Sequence, residues 1–281
     1  MDLKTYTTAK EFYQAAGDWL NQNEGVNSIA IGVTKDLMSE RPTFDSAYFG
    51  AVMERDQVIG TAVMPLPAPY PLNLNATIPA AAHYFVEMAK RIPRPSSVLG
   101  PGRIAKEFAR LWCEEVGCDL GHEEAQAIHK LELVNSPNQS AKPKVVTANE
   151  SHRKLLEDWS RQFCVECESQ DRIEGIPRQV SRAIETGSRY LLLVEEQPVC
   201  MAGKSRESAN GGSINAVYTP KNLRGKGYAS VLVAWLSQNI LDSGKKAVYL
   251  YTQLVNPTSN KIYYDLGYRV ISDSWHIRFR Y

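Results

Sequence analysis

Apolar positions recur every three to four residues in some stretches of this chain and alternate in others. Over residues 5–24, Phe12, Ala15, Ala16, Trp19 and Leu20 share one face at helical spacing, and Gly25 closes the run, which predicts a helix. The short apolar run Ser28 to Val33 reads as a strand. Tyr48–Met53 and Val58–Met64 flank the polar tetrapeptide Glu54-Arg55-Asp56-Gln57 and read as a β-hairpin. Pro65, Pro67, Pro69 and Pro71 break it, because proline donates no ladder hydrogen bond. A further short strand is expected at Leu72–Asn75, a helix from Pro79 to Arg91, and another from Ile104 to Val116 with Ile104, Phe108, Leu111 and Trp112 on its apolar face. Ile128 to Val134 reads as a strand.

The polar, proline-bearing run Asn135–Pro143 reads as a linker and divides the chain into residues 1–137 and 144–281. The second part opens with a strand at Lys144–Thr147. Asn149 or Ser151 then caps a helix to about Cys167, and Pro177 opens a second over Gln179–Thr186. Strands follow at Arg189–Glu195, Val199–Ser205 and Ser213–Tyr218, with turns at Gln197-Pro198 and Asn210-Gly211-Gly212. Ser230 to Asp242 carries Leu232, Trp235, Leu236, Asn239 and Ile240 at helical spacing, and Lys246–Thr252 is the next strand. Arg269 to Tyr281 reads as one hairpin, with Ile277, Phe279 and Tyr281 alternating with Arg278 and Arg280.

Composition adds limits. The 281 residues are 43% hydrophobic and 22% charged, with a net charge of +1, which describes a globular chain and argues against a nucleic-acid partner. The charge is uneven: residues 1–143 carry a net −4 and residues 144–281 a net +5. No apolar run has the length of a membrane span, and the N-terminus lacks a signal-peptide core. With an odd count of five cysteines, this fits a reducing cytoplasm. Cys164-Val165-Glu166-Cys167 and the pair Cys113 and Cys118 have metal-ligand spacing, but buried thiols and no metal are expected.

The basic part holds the most informative stretch, Val217-Tyr218-Thr219-Pro220-Lys221-Asn222-Leu223-Arg224-Gly225-Lys226-Gly227-Tyr228-Ala229. It joins a strand to a helix. The first N–H groups of a helix have no internal partner and sit at the positive end of its dipole, so they attract an anion. Gly225 and Gly227 allow positive φ and close approach, and Arg224 and Lys226 add charge. An ordinary strand-to-helix turn with solvated basic residues is the plainer alternative. No Gly-Lys-Ser/Thr follows, so this is not a Walker loop, and a nucleotide-binding reading would leave the next stretch without a role.

That stretch runs from Tyr249 to Tyr268 and reads strand, Asn256-Pro257 break, short helix and Gly267-Tyr268 stop. Arg-Gly-Lys-Gly-Tyr-Ala followed by Asn-x-x-Ser-x-x-x-Tyr-x-x-x-Gly-Tyr resembles the GCN5-related N-acetyltransferase (GNAT) superfamily. Arg224, Gly227 and Ala229 meet its phosphate motif Gln/Arg-x-x-Gly-x-Gly/Ala. The wording of both stretches is similar to a subgroup of predicted acetyltransferases. The resemblance is specific over residues 188–272 and implies an α+β fold, a mixed, mostly antiparallel sheet flanked by helices (the acyl-CoA N-acyltransferase fold). It further implies a cytoplasmic enzyme, monomer or homodimer, that takes acetyl-CoA and an amine acceptor of a small molecule or peptide. A non-catalytic acyl-CoA-binding or regulatory module is the alternative.

The resemblance implies that the strands of 213–218 and 246–252 splay, with the pantetheine of coenzyme A against Val217, Tyr218 and Thr219 and the pyrophosphate on Arg224, Gly225, Lys226, Gly227, Tyr228 and Ala229. Asn256 and Ser259 would shape the cofactor side of the next turn. Tyr263 falls where the family places a tyrosine near the thiol sulfur, and a phenol can protonate a thiolate. Relatives often carry a glutamate on the strand before the phosphate loop, but Ser213–Tyr218 has none. Glu166 and Glu168 are the expected bases. The first half repeats the same order of elements and is expected to be a degenerate second copy. Gly100-Pro101-Gly102 would be its altered phosphate loop, with Pro101 removing an N–H, so this half is not expected to bind coenzyme A.

Overall fold

Thr8 and Glu11 cap the first helix reciprocally, each side chain accepting from the other's backbone N–H at 3.2 Å. Local signals of this kind place most elements. The structure is a computed structural model, which describes residues 1–67, 70–135, 144–167 and 170–281. Its first half runs β1 (Asp2–Tyr6), α1 (Ala9–Gln22), α2 (Ser28–Leu37), β2 (Ser46–Glu54), β3 (Gln57–Leu66), β4 (Leu72–Ala76), α3 (Ala82–Ala89), β5 (Ser97–Gly100), α4 (Gly102–Val116) and β6 (Asp119–Leu131). The second half runs β7 (Lys144–Thr147), α5 (Arg153–Glu166), α6 (Ile176–Glu185), β8 (Arg189–Val194), β9 (Gln197–Ser205), β10 (Gly211–Tyr218), α7 (Tyr228–Asp242), β11 (Ala247–Gln253), α8 (Pro257–Asp265) and β12 (Arg269–Arg280). Apart from single-turn 3₁₀ segments, the order of elements is the same in both, as a duplicated fold requires.

The twelve strands form one mixed sheet in the order β1-β2-β3-β4-β5-β12-β6-β11-β10-β9-β8-β7. The order is not two separate sheets side by side. The last strand of each half is inserted into the other: β12 lies between β5 and β6, and β6 lies between β11 and β12. β6 and β12 pair antiparallel from Arg269↔Lys130 to Arg280↔Asp119, on a pseudo-twofold relation that exchanges the halves. The sheet therefore crosses the division read at the linker, whose residues 136–143 lie outside the described ones.

Helices cover both faces. On one, α3 and α4 bury Phe85, Phe108 and Trp112 against β4, β5 and β12, while α7 and α8 bury Leu232, Leu236, Tyr263 and Tyr268 against β9, β10 and β11. On the other, α1 and α2 pack Phe12, Leu20 and Ile31 over β2 and β3, and α5 and α6 pack Leu156, Trp159 and Val180 over the strands at the far end of the sheet.

Four readings from the sequence are corrected. Ser28–Val33 is the start of α2, not a strand, because Ala30, Ile31, Val33 and Thr34 turn inward at helical spacing onto α1; a short apolar run does not separate the two conformations. The N-terminal residues 2–6 pair with β2, so α1 begins at Ala9. Arg269–Tyr281 is no hairpin: Ser272-Asp273-Ser274 stays extended in β12, paired with Ile128, Ala127 and Gln126 of β6 after a register shift between Val270 and Ser272, and β5 joins on the other side from Trp275 to Arg278. Gly100-Pro101-Gly102 joins β5 to α4 and so corresponds to the β11–α8 joint, not to a phosphate loop. The counterpart of the phosphate loop lies between β4 and α3 and carries Pro79.

Candidate active site

β10 and β11 pair in parallel only at Gly211↔Ala247, Gly212↔Val248 and Ser213↔Tyr249, and then separate. β10 keeps its other neighbour, β9, but the register shifts between Asn215 and Tyr218, and Ala216 takes φ +47°. This bulge removes Ala216 and Val217 from the regular ladder. The edge of β10 facing β11 is thus open over its last residues, beside the start of α7.

That start is built for an anion. Gly227 is the N-terminal flank of α7, with φ +77°, and no side chain caps the helix. Gly225 has φ +81°, and a Cβ added at Gly225 or Gly227 would meet nothing within 4 Å. Backbone N–H groups at an uncapped helix end, exposed through glycine, fit a phosphate, an interaction of about 0.3–1 kcal/mol at an exposed end and up to ~2 kcal/mol when partly buried. Arg224 is held against the loop: its Nε donates to the Thr219 carbonyl at 2.9 Å, its Nη2 donates to Glu166 Oε2 at 2.6 Å, and its guanidinium lies 5.7 Å from the Tyr218 ring.

The other expected residues divide into two groups. Tyr218 turns to the α5 side, where its hydroxyl donates to Gln162 at 2.7 Å and its ring meets Trp159 and Phe163. Asn256 caps α8 by accepting from the Ser259 N–H at 3.1 Å, and Pro257 follows at the first turn, which accounts for the Asn-Pro-x-Ser pattern by local structure. Tyr263 is 8% exposed, between the rings of His129 at 6.2 Å and Tyr268 at 5.8 Å. Burial pushes its ionisation above the usual phenol range, so it stays a proton donor at neutral pH. Glu166 is engaged by Arg224 and by the Tyr218 hydroxyl at 3.4 Å. Glu168 lies outside the described residues.

Sequence reasoning missed the part supplied by β6. Because β6 lies beside β11, His129 is opposite Leu250 and reaches Thr252 Oγ1 with Nε2 at 3.0 Å. Its Nδ1 is buried with no hydrogen-bond partner among the described residues, and burial lowers its pKa. Gln126 is opposite Gln253 at the end of β11, and its amide donates to Glu124. Nothing local marks these residues, since only the exchange of β6 brings them to the second half.

The equivalent gap in the first half is closed. β4 and β5 pair at Leu72↔Val98 and Asn73↔Leu99, and a Cβ at Gly100 would stand 2.1 Å from the Leu74 carbonyl oxygen. Arg103 Nη2 donates to the Ala76 carbonyl at 3.0 Å across the same end.

The cysteines stay free. Cys164 and Cys200 are buried, and Cys113 and Cys118 have their sulfurs 3.1 Å apart. Among the described residues no group of three or more His, Cys, Asp or Glu could hold a metal ion, and no helix is long and apolar enough to cross a membrane.

Residues 190–277 match the family model of FR47-like protein. Solved structures share the fold over nearly the whole chain. A GNAT-family acetyltransferase from Colwellia psychrerythraea is 9% identical with a TM-score of 0.60, covering 100% of both chains. A Drosophila protein is 9% identical with a TM-score of 0.73, over 99% of this chain and 98% of its own. A tandem GNAT protein from the clavulanic acid biosynthesis pathway is 13% identical with a TM-score of 0.58, over 99% and 98%. No curated protein matches the chain by sequence. The FR47-like match covers residues 190–277, and the likeness to these solved structures shows the acyl-CoA N-acyltransferase fold over nearly the whole chain.

Proposed function

We propose that the second half binds acetyl-CoA and transfers its acetyl group to a primary amine of a small molecule or peptide. The observation that carries this reading is the open edge of β10 beside the uncapped, glycine-exposed start of α7. Acetyl-CoA, when bound, supplies an acyl group activated as a thioester. The N–H groups of Arg224 to Ala229 would hold its pyrophosphate, and Val217, Tyr218 and Thr219 would offer backbone groups to its pantetheine. The Val217 N–H is the expected donor to the carbonyl oxygen. Tyr263 is the expected proton donor toward the sulfur. The first half, with its β4–β5 gap closed at Gly100, is expected to take none.

Isothermal titration with acetyl-CoA and with ATP tests this. Binding of acetyl-CoA near one per chain, with ATP much weaker, is the expected outcome. No binding of acetyl-CoA would overturn the reading, and two per chain would overturn the assignment of the first half.

A further inference from the structure

The sheet face under α1, α2, α5 and α6 carries buried polar residues at its centre, beside Leu99 and Ile128. Asn73 on β4, Ser97 on β5, Ser274 and His276 on β12 and Glu124 on β6 are each 1–8% exposed. In this layer α1 and α2 rest on β1–β3 and α5 rests on β10. A sheet face covered by helices is normally apolar. These side chains form a buried polar floor on that face.

Glu124 stands where that floor meets the end of the β10–β11 gap. From the last pair, Ser213↔Tyr249, the extra residue of the β10 bulge brings Tyr218 to about the height of Gln253. Gln253 is opposite Gln126, and the Leu254 N–H donates to the Ala125 carbonyl at 2.9 Å before the chain turns into α8. Glu124 is the next residue of β6 on the face of Gln126, beyond the point where β11 leaves the sheet. Its register partner is His276, whose Nε2 is 2.9 Å from Ser97 Oγ. The Gln126 amide donates to Glu124 Oε1 and so orients the carboxylate. A carboxylate held this deep in protein favours a cation beside it.

We propose that Glu124, supplied by the first half, receives the ammonium group of the acceptor and takes its proton, which makes the acceptors primary alkylamines. The proposal rests on the acetyltransferase reading above. The proton passes from the ammonium nitrogen to a carboxylate oxygen, and the N–H bonding pair remains on nitrogen as the lone pair that attacks. Glu124 thus takes the place of the carboxylate that β10 lacks, while Glu166 is held by Arg224. The half that is closed between its own strands contributes to its partner's site through the strand it lends.

The test uses the full chain with monodansylcadaverine as the amine and its N-acetyl derivative as the uncharged control. Fluorescence anisotropy without acetyl-CoA is expected to show at least tenfold weaker binding of the amine to Glu124→Gln, with the control unchanged within twofold. Titration should leave acetyl-CoA affinity within threefold, and transfer to the amine should fall about 100-fold. Equal amine binding by both proteins, or parallel loss of amine and control, overturns the proposal. Should Glu124→Gln not fold, Gln126→Leu removes the orienting amide and keeps the charge. Weakening of the amine alone by threefold or more then supports the proposal, and no change overturns it. A wild type that selects the charged amine yet binds no acetyl-CoA supports Glu124 as the ammonium site and overturns the transfer reading alone.

Discussion

Arg224 of the phosphate loop donates to the Glu166 carboxylate of α5 at 2.6 Å, although 58 residues separate them in sequence. The pair is half exposed, and Tyr218 shares the same carboxylate, so Glu166 ties α5 to the loop. A residue in that role acts on position. Glu166→Gln is expected to lower turnover by less than about tenfold, whereas loss of a general base costs about 100-fold or more. Steady-state kinetics with saturating acetyl-CoA separates the two.

Gly227→Glu should abolish acetyl-CoA binding. The new side chain enters open space, so it leaves the core intact. Its φ of +77° costs on the order of 1–2 kcal/mol, and its charge repels the pyrophosphate. A small fall in melting temperature with at least 100-fold weaker binding by titration is the expected pair of results.

Tyr263→Phe removes one oxygen and keeps the ring between His129 and Tyr268. Acetyl-CoA affinity should stay within about threefold, while turnover falls about 100-fold as expected for a lost proton donor. Because burial raises the phenol pKa, wild-type turnover should show no tyrosine limb below about pH 10. Loss of binding and turnover in equal measure would mean that the residue only supports the site.

His129 predicts a dependence on acid. Burial lowers its folded pKa, so below about pH 6.5 the unfolded chain takes the proton first and stability falls with pH. The loss sets in as pH falls from 7.5 to 5.5 through the unfolded pKa. His129→Gln should remove that part of the loss, measured by urea denaturation at both values.

Gly100→Ala places a methyl against the Leu74 carbonyl, 2.1 Å away. Backbone on both sides leaves no easy relief, so a loss of about 2–3 kcal/mol or more is expected in urea denaturation, of the size overpacking produces. An unchanged midpoint would show that the first half's gap opens readily.

Much of this protein was legible locally. The alternation and helical spacing placed most elements, and the Gly225–Gly227 turn and the Asn256-Pro257 break were readable because backbone preferences act within a few residues. The resemblance carried by those same residues added the fold. Ser28–Val33 and the C-terminal strand were misread for the converse reason. A short apolar run fits either conformation, and Arg269–Tyr281 reads as a hairpin until pairing with β6 holds it in one strand. The placement of β6 and β12 in each other's halves is a matter of long-range pairing, to which residue periodicity is blind. With that exchange came His129, Gln126 and Glu124, whose neighbours on β11 and β12 lie more than a hundred residues away. Thus the sequence alone indicated the glycine turn before α7 and most of the order of elements, through short-range backbone preferences. Tertiary structure decided which strands of each half stand beside the other, because strand pairing is settled between distant residues when the whole sheet assembles.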